Sequence, residues 1–144
     1  MRIRQYTADD LEPLLSVWEG ASQVGHPFLS PAFLKSERKN IPAVYLPSGD
    51  TWVAIINDRL VGFTILHGNE VGALFVDPNF HGDGVGFELM NKAKELHGQL
   101  KVEVFKENTI GYNFYARYGF LLKLEYLHQP SGMMMSCLEF NDPI

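Results

Sequence analysis

The sequence predicts a mixed α/β fold in which four helices pack on the two faces of one seven-stranded sheet, within a single domain spanning residues 1–144. Three observations predict it. The chain has 144 residues, 46% of them hydrophobic, which is enough for one ordinary core without covalent staples. Its hydrophobic periodicity changes along the chain in the order β-α-α-β-β-β-α-β-α-β-β. Short turns join the middle strands, whereas helices separate the later ones, so a meander runs into crossover connections.

Met1 to Tyr6 alternates apolar and polar residues and reads as a strand. Thr7-Ala8-Asp9-Asp10 follows as a helix start, with Thr7 as the cap and acids in the first turn, and Leu11, Leu14, Leu15 and Trp18 recur at helical spacing. Ser30-Pro31 opens a second helix, a capping hydroxyl before proline at the first helical position. Asn40 to Asp50 holds two prolines, a serine and a glycine and is expected to be a long loop. Thr51 to Ile56, Leu60 to Leu66 and Val71 to Val76 read as three strands joined by turns at Asn57-Asp58 and Gly68-Asn69. A glycine-rich turn leads into a helix from about Gly84 to His97, then a strand from Leu100 to Phe105. A helix from Glu107 to Tyr118 stops at Gly119. Phe120 to Leu127 and Met133 to Phe140 are the last strands, turning through Gln129-Pro130-Ser131-Gly132.

Charge and cysteine content exclude several function classes. Twelve Lys and Arg against 17 Asp and Glu give a net charge of −5, which argues against nucleic acid or an anionic membrane as partner. No stretch approaches the ~18 apolar residues of a membrane span. Met1-Arg2-Ile3-Arg4 lacks the apolar run of a signal peptide. The single cysteine, Cys137, forms no internal disulfide and is expected in a core strand, so the expected location is the cytoplasm. The five histidines form no i, i+4 pair, so no metal is expected.

The most informative stretch runs from Leu74 to Gly86, a glycine-rich turn between a strand and a helix. Such a turn aims several backbone N–H groups at one spot, where the helix dipole adds positive potential, so a phosphate or pyrophosphate is the natural guest. A P-loop requires Lys-Ser/Thr after its last glycine, but Phe87-Glu88 follow Gly86. A dinucleotide fingerprint requires a third small residue where Phe87 stands. His81-x-x-Gly84-x-Gly86 instead resembles the acyl-CoA loop of the GNAT superfamily, Gln/Arg-x-x-Gly-x-Gly/Ala, with His81 in the first place. Leu74-x-Val76-x-Pro78 is similar to that family's preceding strand. Asn108-x-x-Gly111-x-x-Phe114-Tyr115-x-x-x-Gly119-Phe120 resembles the family's Asn-x-x-Ala-x-x-Phe-Tyr-x-x-x-Gly-Phe helix. The resemblance covers Thr51 to Phe120, and extends to Trp18 and His26-Pro27-Phe28-Leu29, similar to an element of small bacterial members.

This resemblance implies a GNAT fold, with a mixed, mostly antiparallel seven-stranded sheet flanked by four helices. It also implies an N-acetyltransferase that moves an acetyl group from acetyl-CoA to a primary amine by direct attack in a ternary complex. The acceptor is a small-molecule or peptide amine, and a homodimer is an assembly the superfamily allows. Leu74, Phe75 and Val76 would hold the pantetheine arm where the strands 71–76 and 100–105 part. His81, Gly82, Asp83, Gly84, Val85 and Gly86 would hold the pyrophosphate, and Asn108 would contact the cofactor or the opened strand.

An alkyl amine, pKa ~10.4, must lose a proton before it attacks, and the departing thiolate must gain one. Tyr115 would be the proton donor, although alone it would read as a core tyrosine. Glu70 is the candidate base, with His67 as its rival. Trp18, His26, Phe28 and His67 are the candidate acceptor-binding residues; Tyr126 and Met133 to Met135 could line the same pocket. Two other readings compete: a non-catalytic acyl-CoA sensor or docking domain, and a generic nucleotide-binding module.

Overall fold

The computed structural model describes residues 1–141. All seven strands join one sheet in the order β1-β2-β3-β4-β5-β7-β6, where β1 is Arg2–Gln5, β2 Asp50–Ile56, β3 Arg59–His67, β4 Glu70–Val76, β5 Gln99–Phe105, β6 Leu121–His128 and β7 Met133–Asn141. Only the β4–β5 pairing is parallel, so the sheet is mixed and mostly antiparallel as expected. The four helices are α1 (Leu11–Gly25), α2 (Pro31–Asn40), α3 (Val85–His97) and α4 (Thr109–Tyr118).

The helix starts follow the local chemistry. Asp10 accepts the Thr7 N–H at 2.8 Å and is held by the Arg4 guanidinium fork at 2.8 and 2.9 Å, so β1 and the entry to α1 are pinned together. Ser30 Oγ caps α2 by accepting from Phe33 N–H at 3.1 Å. Asn57 and Asp58 both take positive φ (50° and 64°), the conformation a two-residue hairpin needs. Gly119, at φ +122°, terminates α4.

The expected loop at 40–50 is corrected. The chain stays helical beyond α2, through a wide π turn at Ile41–Tyr45 and one further turn at Leu46–Ser48. Leu46 N–H bonds to Ile41 C=O, five residues back. Pro42 and Pro47 each remove one N–H from the run, and the wide turn that follows α2 accommodates the Pro42 ring. Buried Ile41 (3% exposed) anchors the segment against α1.

The two sheet faces carry separate cores. Leu14, Leu15, Val17 and Trp18 of α1 pack on Val53, Ile55, Phe63 and Ile65. On the other face α3 and α4 bury Leu89, Met90, Ala93 and Tyr115 against Val61, Leu66, Val71, Val102, Val104 and Leu138. Cys137 lies in β7 but is half-buried outside these clusters, with Sγ 3.9 Å from Glu103, so it is not a core residue.

Candidate active site

The site is a gap in the sheet. β4 and β5 pair at Glu70–Lys101 and Val71–Val102 and then diverge. A bulge at Gly72 opens the divergence: Ile65 pairs with Ala73 and Leu66 with Val71, so Gly72 has no partner. The bulge also resets the alternation. Val71 faces the α3/α4 core, whereas Ala73 and Phe75 face α1. Ala73, Leu74, Phe75 and Val76 are all half-buried although β4 is an internal strand.

The register dictates what lines the gap. Asp77 N–H bonds to Val61 C=O at 2.8 Å, and antiparallel pairs alternate between bonded and non-bonded. The pairs Phe75–Phe63 and Ala73–Ile65 are therefore bonded to β3. Leu74 and Val76, opposite Thr64 and Gly62, turn their N–H and C=O groups toward β5, where no strand meets them. A pantetheine arm, with its two amides, fits peptide groups that no strand meets; of these the Val76 C=O is met by the His81 ring.

At the end of β4 the chain makes a tight turn into α3. Gly82 and Gly84 hold φ of +88° and +81°, which strongly favours glycine, and a Cβ at either would meet nothing within 4 Å. Residues 81–84 are exposed, and Val85 (1% exposed) roots α3 in the core. The turn thus presents bare backbone at a helix N-terminus, where a pyrophosphate fits. His81 folds back: its Nε2–H donates to Val76 C=O at 3.1 Å, at the mouth of the gap.

Tyr115 lies on the α3/α4 side of the sheet, 6% exposed, against Phe114 and Phe120. Burial pushes its phenol pKa well up, so it stays protonated at neutral pH. Asn108 caps α4 by accepting Gly111 N–H on Oδ1 at 3.0 Å. On the α1 side, the His26 ring packs edge-on against Phe28, Phe75 and Phe105 at 5.4–6.0 Å between centroids. Phe75 and Phe105 come from β4 and β5, so His26 lies between the diverging strands. Burial alone lowers its pKa to about 4.

The other candidates distribute as follows. Glu70 neighbours Val71 in the alternation and so points to the α1 side, at the closed end of the gap, opposite His67 in the β3–β4 pairing. His67 Nε2 meets Ser48 Oγ at 3.2 Å. Trp18, 7% exposed, packs in the α1 core beneath the site rather than on its wall. Tyr126 donates to Glu103 at 2.7 Å, a bond that pushes its pKa up to about 12. Met135 is buried opposite Phe105, and Met134 is exposed. Among the described residues no group of three or more His, Cys, Asp or Glu side chains converges to hold a metal.

Sequence reasoning missed Phe33, Phe105 and His128. They form one aromatic wall with His26 and Phe28: Phe105 touches Phe33 at 6.4 Å and His128 at 5.6 Å. The only sequence signal was an aromatic at the C-terminal end of a strand, which is ordinary in cores.

A family model described as an acetyltransferase (GNAT) domain matches residues 47–121. A peptidyl-lysine N-acetyltransferase, YjaB of Salmonella typhimurium, is 34% identical over 121 residues, 83% of each chain. The solution structure of apo-form YjaB from Escherichia coli superposes with a TM-score of 0.87 at 27% identity, covering 96% of each chain. A PaiA N-acetyltransferase from Thermoplasma acidophilum, solved with coenzyme A, shares the fold with a TM-score of 0.76 at 19% identity, over 97% of this chain and 98% of that one. The family model spans more than half of the chain and the relative covers most of it, so the chain belongs to the GNAT acetyltransferases.

Proposed function

We propose that this N-acetyltransferase uses acetyl-CoA and a lysine-type amine of a peptide or protein, joined in a ternary complex. One observation carries the reading: Leu74 and Val76 aim peptide groups that no neighbouring strand meets into a gap that has a buried tyrosine on one side of the sheet and an aromatic wall on the other. Relatives that act on peptidyl-lysine support the acceptor class. Structural neighbours solved with acetyl coenzyme A or coenzyme A support the co-substrate.

Bound, acetyl-CoA supplies the thioester whose carbonyl carbon the amine attacks and whose C–S bond breaks. The protein's part is orientation and proton management. Backbone N–H groups of 82–86 hold the pyrophosphate at the start of α3. Leu74 and Val76 hold the pantetheine amides and place the thioester in the gap. Glu70 takes the ammonium proton, directly or through water, leaving a neutral amine to attack from the α1 side. Tyr115 gives its proton to the departing thiolate, and the second proton shed by the attacking nitrogen as the amide forms returns to Tyr115 through water. His67, bonded to Ser48, is the alternative base. A pH–rate profile of Glu70→Gln and His67→Ala separates the two, because only one substitution removes the ionisation that limits the rate. We take the protein to act in the cytoplasm, which fits a single unpaired cysteine.

The test is calorimetric titration of acetyl-CoA, followed by free-thiol release with a panel of lysine peptides and small amines. Saturable binding with release only in the presence of a lysine peptide is the expected result. Binding without release from any amine would favour the sensor, and no binding would overturn the acetyltransferase reading.

A further inference from the structure

We propose that Asn108 is a positioning residue that fixes His26 as its Nδ1–H tautomer, tying the acceptor-side loop after α1 to the cap of α4, so that His26 serves the acceptor as a hydrogen-bond donor and not as the base.

The argument begins with the cap. Asn108 Oδ1 accepts Gly111 N–H at 3.0 Å, which fixes the orientation of the amide. The atom that faces His26 Nε2 at 3.3 Å is therefore Nδ2, which can only donate. Nε2 must accept, so the neutral ring carries its proton on Nδ1. The ring is neutral at pH 7, because burial holds its pKa near 4 and no charged side chain adds to that shift. The rings packed against it are Phe28, Phe75 and Phe105, and His128 packs in turn on Phe105. A ring whose Nε2 is engaged as an acceptor and whose Nδ1 is already protonated has no site to take a proton from an amine. It has one N–H to offer.

One glycine makes room for this arrangement, and a second lies beside it. A Cβ at Gly111 would stand 2.6 Å from Asn108 Nδ2, a distance real Cβ atoms essentially never show. Gly111 lies inside α4 and does not take a positive φ, so backbone conformation does not require glycine there, and glycine is the poorest helix former after proline. Its counterpart in the family's motif is alanine. The space it leaves is the space the Asn108 amide occupies on its way to His26. Gly25, at the end of α1, sits on the other side: a Cβ there would lie 3.4 Å from Asn108 Oδ1. The last residue of α1, the cap of α4 and the first turn of α4 thus converge on one side chain. Through that side chain the loop holding His26 and Phe28 is set relative to the helix that holds Tyr115.

The kinetic half of this proposal rests on the acetyltransferase reading; the tautomer half does not. The test is long-range proton–nitrogen NMR of the histidine rings at pH 7, with His26→Gln identifying the signal. Wild type is expected to show the Nδ1–H form. Asn108→Asp keeps an acceptor for Gly111 N–H but turns a carboxylate toward His26; the ring is expected to become Nε2–H or imidazolium, with its titration raised by more than one unit. Gly111→Ala is the second variant: it displaces the amide while favouring the helix, and is expected to give mixed tautomers without a lower Tm. In Asn108→Asp, KM for an N-terminally blocked lysine peptide is expected to rise about tenfold. An Nε2–H ring in the wild type, or unchanged His26 signals in both variants, would overturn the tautomer assignment. A changed tautomer with unaltered KM for the peptide would overturn the link to the acceptor.

Discussion

Strand β5 meets its two neighbours differently. Against β7 it is bonded residue by residue from Gln99–Asn141 to Phe105–Met135, and the β7 residues Ser136 and Leu138 are 0% and 2% exposed. Against β4 it pairs only at Glu70–Lys101 and Val71–Val102, after which Ala73 to Val76 stand half-exposed. Sequence character does not distinguish the sides, since both neighbours are apolar strands of similar length. The difference lies in what stands between them: the Gly72 bulge turns β4 away, and the His26, Phe75 and Phe105 rings occupy the gap on the α1 side. An internal strand with unmet peptide groups is costly unless a guest meets them. The open side is where function is expected, the zipped side where stability is.

The largest effect expected of this contrast is at Tyr115. Phenylalanine there leaves the packing against Phe114 and Phe120 but removes the only proton the buried ring can give. Turnover should fall about 10³-fold, within the range for a lost general acid, with acetyl-CoA affinity nearly unchanged by calorimetry. An unaltered rate in a folded variant would remove Tyr115 from the mechanism.

Next is what holds the gap. His26 titrates near 4 in the folded protein and near 6.5 when unfolded. Between those values the unfolded chain binds a proton that the folded chain refuses, so stability must fall as pH drops through that window. The shift corresponds to about 3 kcal/mol. Urea unfolding at pH 7 and pH 4 should show the loss, and His26→Gln should remove most of that slope. An equal slope in the variant would locate the proton uptake elsewhere. Asp10 contributes a separate loss at lower pH, because Arg4 first, and the Thr7 N–H with it, hold its carboxyl below the usual range.

The two sides were also unequally legible. The zipped side is alternation and turns, which sequence shows directly: most strand ends fell within a residue or two of Asp50, Glu70, Gln99 and Asn141. The turn with Gly82 and Gly84 and the helix that carries Tyr115 were legible as local elements, because each lies within one short stretch of chain; the roles expected of them came from the resemblance. The α1-side wall was not. His26 and Asn108 are 82 residues apart, and Phe33, Phe105 and His128 come from three elements, so only tertiary packing brings them together. The helical run after α2 was missed for a different reason. Prolines at 42 and 47 read as loop punctuation, yet the helical run absorbs them through the wide turn at Ile41–Tyr45. Trp18, a candidate acceptor residue, is buried in the cluster against which Ala73 and Phe75 of β4 pack.

A smaller effect is expected at the turn that feeds the gap. Gly84 holds φ +81° with nothing near its Cβ position, so alanine there meets no clash but must occupy a left-handed conformation, costing about 1 kcal/mol. If the turn holds the pyrophosphate, that strain and any shift of the backbone should weaken CoA about tenfold while leaving turnover at saturation nearly unchanged. CoA affinity equal to wild type would separate the turn from the cofactor.

The smallest expected effect lies on the zipped side and serves as the control for all the others. Ser136 Oγ, in a residue with no exposed surface, donates to Glu125 Oε2 at 2.9 Å across the β6–β7 pair. Alanine removes the donor and leaves the carboxylate to the solvent that already reaches Glu125, so the cost should be about 1 kcal/mol of stability. Nothing in that contact touches the gap, and β5 remains bonded along β7. Turnover and both KM values should therefore stay at wild-type levels while the urea midpoint falls. A Ser136→Ala variant that lost activity in step with stability would mean that the seam between β5 and β7 sets the width of the gap, and the division of the sheet into a stable half and a working half would not hold.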